Sequence, residues 1–388
     1  MIIIVLTSAA TLLLLAGFVQ DYLRLRLTPR LVRSRLADSE LPFVSVLIPA
    51  RDEARNIARC LDGVLSQQYP AYEVIVVDDG STDATPEILA AYAAKANRLR
   101  VITSRPLPPG WTGKCYACQQ AALAARSPWL LFLDADTVPQ PTLLVSLVNH
   151  AQHYNCDMVT VFPFLELGSF WERLILPPFL SLIMTVFPFK RLSDPDVRPD
   201  EVLANGQCIL VRRSAYAAIG GHNAVRGEVL EDVQLAQALR RAGYCSRGAE
   251  GMQEIRVRMY TNGREVVEGL TKNAAAGYYS GGERSMWGMT RLLTLTFVPL
   301  WLLGGSLALV STRGDTLAWA VFAHAAVVVL VALGFWSILL RHFYKLPWIY
   351  AFLWPFGLLC YGAIALRSLW LVRRGRGVVW KGRTYVGE

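Results

Sequence analysis

From residue 291 to residue 372 the chain is built almost entirely of apolar side chains, in three runs separated by short charged breaks. Residues 292–310, 317–340 and 346–372 each span or nearly span a hydrocarbon core, which takes about 20 residues of helix. Inside lipid the backbone must satisfy its own hydrogen bonds, so continuous apolar runs of this length have one solution, the helix. Arg313 and Asp315 divide the first two runs; Arg341, His342 and Lys345 divide the second pair. The third contains Pro355-Phe-Gly357, which suggests a broken segment, a hairpin that re-enters the membrane and returns.

A fourth apolar stretch opens the chain. Residues 1–20 carry no ionisable side chain, and Arg24, Arg26, Arg30, Arg33 and Arg35 follow. A cleavable signal puts its positive charge first. The reverse order here predicts a retained anchor whose C-terminal side is cytoplasmic. These stretches account for 53% hydrophobic and only 18% charged residues. Much of the net charge of +9 lies beside them, at 24–35 and in the basic tail 373–388, which points to membrane orientation and not to nucleic acid. The seven cysteines are scattered and odd in number, which argues against a disulfide framework. Cys115-Tyr-Ala-Cys118 is a single CxxC without the second pair a zinc site would want, and it reads as part of a helix.

Between anchor and apolar block, residues 40–285 form a polar region large enough for its own core. Short apolar runs at 43–49, 73–78, 99–103 and 129–134 alternate with helical spacing at 54–67, 85–95 and 113–125. Alternation of this kind predicts an α/β fold, a parallel sheet with helices on both faces. Residues 163–190, rich in Phe, Leu and Pro, read as an interfacial segment leaning on the bilayer.

Ligands of open α/β sheets bind beyond the carboxyl ends of the strands. Three strand ends carry acids here: Asp52/Glu53, Asp78/Asp79 and Asp134/Asp136. Asp134-Ala-Asp136 can hold a divalent cation, Mg2+ or Mn2+, that bridges two phosphates. Asp78 and Asp79 can accept hydrogen bonds from a base and a ribose, while Ser81 and Asp83 would cap the next helix. Lys114, at a helix start, could set an ammonium beside a diphosphate. Glu231-Asp232 fits either a proton-accepting pair or an acidic first turn favoured by the helix dipole. His222, beside two glycines, reads as structural.

Taken together, these residues resemble an inverting family 2 glycosyltransferase with a GT-A fold. The likeness covers 40–285 and rests on 44–49 with Glu53, on Val76-Val-Asp-Asp-Gly-Ser-Thr-Asp83, on Asp134-Ala-Asp136 and on Glu231-Asp232. It implies that Glu53, Asp78 and Asp79 contact the nucleoside. By the same likeness Asp134 and Asp136 hold the metal-bound diphosphate, and Asp232 is the base. Leu107-Pro-Pro-Gly-Trp-Thr-Gly-Lys114, Asn205-Gly-Gln207 and Trp380-Lys-Gly-Arg383 are similar to membrane enzymes that modify isoprenoid lipids, the chlorobactene-type carotenoid glucosyltransferases and the hopanoid-associated enzymes. That likeness implies one sugar moved from a nucleotide sugar such as UDP-glucose to a carotenoid hydroxyl, at the inner membrane. Hopanoid, ceramide or other glycolipid synthesis and transfer to a polyprenyl phosphate stay open, as does a non-catalytic sugar-nucleotide binder. Two departures stand out: Asp52 replaces the usual Asn before Glu53, and the Gln-x-x-Arg-Trp motif of processive synthases is absent.

Overall fold

A computed structural model describes residues 12–20, 23, 29–32, 41–187, 194, 196–374, 376, 378–380 and 383–385. Most of the expected anchor (residues 1–11), Arg24, Arg26, Arg33 and Arg35, and residues 375, 377, 381, 382 and 386–388 of the basic tail lie outside the described residues. The chain divides into two compact units: 28–166 with 189–259 and the last ten residues, and 1–27 with 167–188 and 260–378.

The first unit is the α/β domain. β1 (Val44–Ala50), β2 (Tyr72–Asp78), β3 (Leu99–Thr103), β4 (Trp129–Leu133), β6 (Met158–Phe162), β8 (Cys208–Arg212) and β9 (Ser246–Glu250) form one sheet in the order β3-β2-β1-β4-β8-β6-β9. Period-two alternation sends successive residues to opposite faces. Val44, Val46 and Ile48 enter one core with Val74, Val76, Leu131 and Leu133; Leu47 enters the other with Ile75, Val77, Leu130 and Phe132. Helices α2 (Ile57–Leu65), α3 (Thr85–Ala93) and α5 (Leu143–His153) close the first core. Helices α4 (Gly113–Ala124), α7 (Arg213–Ala218) and α8 (Glu231–Arg241) close the second. Because both faces are buried, the central strands read as near-continuous apolar runs.

The sheet is parallel except at β8, which runs antiparallel to both β4 and β6. Cys208, the first residue of β8, therefore pairs with Leu133, the last of β4. A small sheet of β5 (Thr137–Pro139), β10 (Ile255–Val257) and β7 (Phe164–Leu165) adjoins the Asp134 turn in sequence. Val378–Trp380 and Arg383–Tyr385 pair as a two-stranded ribbon.

The second unit is helical: α1 (residues 12–20), α6 (Phe170–Val186), α9 (Gly263–Gly281), α10 (Glu283–Arg313), α11 (Thr316–Tyr344) and α12 (Tyr350–Arg373). The last three are long and apolar enough to cross a membrane. The segment read as interfacial contains α6, whose capping box joins Ser169 and Glu172, and it packs against α9, α10 and α12. Residues 188–190 of that segment lie outside the described residues.

The expected re-entrant break at Pro355-Phe-Gly357 does not occur: α12 is one helix of 24 residues. Pro355 is only the sixth of them, so it withdraws one bond near the N-terminal end, where proline is best tolerated. Gly357 marks a close approach instead. A Cβ there would stand 2.1 Å from the carbonyl oxygen of Leu174 in α6, so only glycine lets the two helices meet.

Candidate active site

The carboxyl ends of β1, β2 and β4 bring the predicted acids to one edge, and two differently built clusters result. The first joins the loops after β1 and β2. Asp52 holds a left-handed backbone, φ 51°, which Asp and Asn adopt more readily than other side-chain-bearing residues. Its Oδ1 accepts from the Thr82 amide at 2.7 Å and the Thr82 hydroxyl at 3.2 Å. The Asp52 amide donates to Ser81 Oγ at 3.0 Å, and Ser81 Oγ donates to Asp78 Oδ1 at 2.6 Å. Ser81 is therefore a bridge between the loops, not the helix cap expected of it; α3 begins after Ala84 without a side-chain cap. Asp83 does bond ahead to the Thr85 amide at 3.0 Å, and its other oxygen accepts from the Ala54 amide at 3.0 Å. Those bonds hold the Asp83 carboxyl below its ordinary range, against a burial effect that would raise it.

Asp78 and Asp79 are buried, and the Asp79 carbonyl accepts from Arg51 Nη1 at 2.7 Å. Glu53 Oε2 accepts from Asn56 Nδ2 at 2.8 Å. Burial pushes the Cys60 thiol far up; a Thr137 hydrogen bond opposes this, and the charges of Asp136, Glu53 and Asp134 add to it. Carboxylates from two strand ends thus set the field around the first turn of α2.

The second cluster is built on a cation. Lys114 Nζ stands 2.8 Å from Asp134 Oδ1, 3.0 Å from its Oδ2 and 2.9 Å from Glu231 Oε1. Thr112 caps α4 and sets Lys114 in its first turn. Burial would lower the Lys114 pKa, but Asp134 and Glu231 outweigh it and hold the ammonium well above the usual lysine range. Burial raises the Asp134 carboxyl, with Lys114 opposing.

Asp232 lies beside this cluster in the first turn of α8. Its Oδ2 accepts from the Gly206 amide at 2.6 Å and its Oδ1 from the Val233 amide at 2.8 Å. Burial, reinforced by Glu231 and opposed by Lys114 and the two amides, lifts its carboxyl to about 6. That value suits a group that must be ionised at neutral pH yet accept a proton. Its place in an acidic first turn also suits the helix dipole, the structural reading of Glu231-Asp232.

Among the described residues no three His, Cys, Asp or Glu side chains converge as a closed metal site. The Asp134-Ala-Asp136 turn offers two hard oxygen donors instead, which fits a cation completed by phosphate and water. His222 is buried, bonded to the Tyr216 hydroxyl at 2.8 Å, and burial lowers it to about 4, so it is a neutral core group. Cys115 and Cys118 are buried thiols within α4. Sequence reasoning did not single out Asp52 as the tie between the loops, nor Thr160; it gave Gly206 only within the Asn205-Gly-Gln207 likeness and without its place beside Asp232.

Comparison with known proteins accords with this geometry. Residues 45–220 match the model of glycosyl transferase family 2. The 4,4'-diaponeurosporenoate glycosyltransferase of Staphylococcus aureus is 29% identical over 264 residues, 67% of this chain and 66% of its own length. The Staphylococcus haemolyticus protein of the same name matches equally. The alignment thus spans slightly under two thirds of those curated relatives. Among solved structures, a Pyrobaculum calidifontis mannosyltransferase in complex with GDP-Man and Mn2+ superimposes with a TM-score of 0.56 at 18% identity, covering 94% of this chain and 99% of its own. It shares the fold. Residues 45–220 are a family 2 glycosyltransferase domain of GT-A fold, in a chain that also carries three helices able to cross a membrane.

Proposed function

We propose that the protein moves a single sugar from a nucleotide sugar, such as UDP-glucose, to the hydroxyl of an isoprenoid lipid of the carotenoid class, with inversion. One observation carries this reading: Lys114, Asp134, Glu231 and Asp232 gather beyond the carboxyl ends of the strands, next to the Asp136 turn. Glu53, Asp78 and Asp79 hold the nucleoside. Asp136 and Asp134 hold a divalent cation, which when bound offsets the charge on the departing diphosphate. Asp134 has lone pairs enough to face both that cation and Lys114. Lys114 supplies a second positive charge to the leaving group.

Asp232 accepts the proton of the attacking hydroxyl as the new C–O bond forms and the sugar–phosphate bond breaks in line. Two amides and Lys114 steady its charge before transfer, and Glu231 keeps Lys114 in place. The apolar helices hold the protein at the membrane where a lipid acceptor resides. The arginines after residue 20 favour a cytoplasmic domain at the inner membrane.

A second reading draws on the relatives' name, which ends in the form of a carboxylate. A carboxylate acceptor, like a polyprenyl phosphate, is already anionic and needs no strong base. One experiment separates the two. Membranes from cells expressing wild type or Asp232→Asn are incubated with labelled nucleotide sugar and isoprenoid acceptors bearing a hydroxyl, a carboxylate or a phosphate. Hydroxyl transfer predicts nucleotide binding retained and turnover down about a hundredfold or more in the variant. Near-normal turnover of the variant on an anionic acceptor would transfer the assignment to that class.

A further inference from the structure

The loop ahead of β8 reaches both halves of the transfer centre through its backbone. Asp134 N–H donates to the Gln207 carbonyl at 3.3 Å, while Gly206 N–H donates to Asp232 Oδ2 at 2.6 Å. The loop is itself fixed. Asn205 N–H donates to Thr160 Oγ1 at 2.8 Å, and the Thr160 hydroxyl returns a 3.3 Å bond to the Asn205 carbonyl. Asn205 Oδ1 accepts from the Gln207 amide at 3.1 Å, and Asn205 Nδ2 donates to Gln207 Oε1 at 3.1 Å.

A side chain at 206 would press on both groups. A Cβ would stand 3.1 Å from Asp232 Oδ2, 3.3 Å from Asp232 Cβ and 3.1 Å from Lys114 Nζ, tighter than nine in ten real Cβ contacts, so Asp232 and Lys114 would have to yield by a few tenths of an ångström. Gly206 has no positive φ that would explain the glycine by backbone freedom. Close approach explains it.

We infer that Asn205-Gly206-Gln207, anchored by Thr160, is the positioning element that fixes the distance between the proton-accepting Asp232 and the diphosphate-facing Asp134–Lys114 pair. This rests on the role proposed for Asp232. Gly206 and Thr160 are positioning residues: they act through Asp232, Asp134 and Lys114. The groups that face Asp232 are Glu231 on its own helix, Lys114 and Cys115 from α4, and the Gly206 amide.

The test compares Gly206→Ala, Thr160→Val, Thr160→Ser and Asp232→Asn in the full-length protein in detergent. Nucleotide-sugar affinity, kcat, KM and the pH profile of kcat are measured for each. In Gly206→Ala a displaced Asp232 predicts kcat down about tenfold, short of the roughly hundredfold that a misplacement of about 1 Å costs, with nucleotide affinity within a few-fold of wild type. The acid limb of its pH profile moves to higher pH, because the lost Gly206 bond favoured the charged carboxylate. Thr160→Val gives the same pattern at smaller size, and Thr160→Ser recovers most of the loss.

A uniform fall in kcat with an unmoved acid limb in both Gly206→Ala and Thr160→Val would overturn the inference, as would wild-type kcat in both. If Asp232→Asn itself turns over normally, the assignment of Asp232 as base fails first, and the positioning role with it. If Asp232→Asn is dead while Gly206→Ala matches wild type, only the positioning role fails.

Discussion

The two clusters at the sheet edge hold their carboxylates by opposite means. In the loops after β1 and β2, the hydrogen bonds to Asp52, Asp78 and Asp83 come from backbone amides and the hydroxyls of Ser81, Thr82 and Thr85, with the Arg51 guanidinium farther off, 3.8 Å from Asp52. At the second cluster Asp134 and Glu231 share one ammonium, Lys114, while Asp232 accepts from two amides. Neutral donors fix a shape that does not change when a ligand arrives. A shared cation can reapportion its charge, because what it neutralises in the free protein it can partly release to an incoming diphosphate. On the proposed reading, the difference suits a region that recognises an unchanging nucleoside and a region where charge develops and departs.

Lys114→Met tests that contrast most severely. Without the ammonium, Asp134 and Glu231 repel one another and the incoming diphosphate, so transfer is expected to fall about a hundredfold to a thousandfold. Steady-state kinetics with increasing divalent cation checks this; activity within threefold of wild type would show that Lys114 carries no essential charge. The pH profile of kcat should then show an acid limb near 6, from the Asp232 carboxyl raised to about 6. Below that value the base becomes protonated and activity falls about tenfold per unit. A rate flat from pH 7 to pH 5 would remove Asp232 from the proton transfer.

Asp52→Ala should have the smallest effect on chemistry and a visible one on stability. It removes two hydrogen bonds to Thr82 and leaves alanine in a left-handed backbone, together costing about 2 kcal/mol. Asp52→Asn should recover most of it, since asparagine keeps an acceptor and tolerates that conformation. Denaturation monitored on the purified protein reads both.

This contrast also marks how far the sequence could be read. The strand ends at Asp78 and Asp134 were legible because a buried parallel strand is a short apolar run, and whatever follows it lies at the ligand edge. The antiparallel run of β8 was not legible: 208–212 is as apolar as its neighbours, and direction leaves no trace in composition. Lys114 was visible as a charge at a helix start, but its partners lie 20 and 117 residues away, and nothing local announces them. Asp52 looked like a departure from a family pattern, whereas its backbone conformation accounts for either Asp or Asn at that place. In the helical unit, Pro355 and Gly357 advertised a break by the ordinary rules for helices in water. Packing reversed that, since the missing side chain of Gly357 admits the Leu174 carbonyl.

The reversed direction of β8 has a consequence for how such a domain can change over time. Parallel strands offer the ligand edge only the segments that follow them, so each new specificity must be grafted behind a strand. Here the segment that comes before β8 opens onto that edge, as the pairing of Cys208 with Leu133 requires. Residues inserted ahead of position 205 are therefore delivered to the reacting groups, and residues inserted after Arg212 to the far side, away from them.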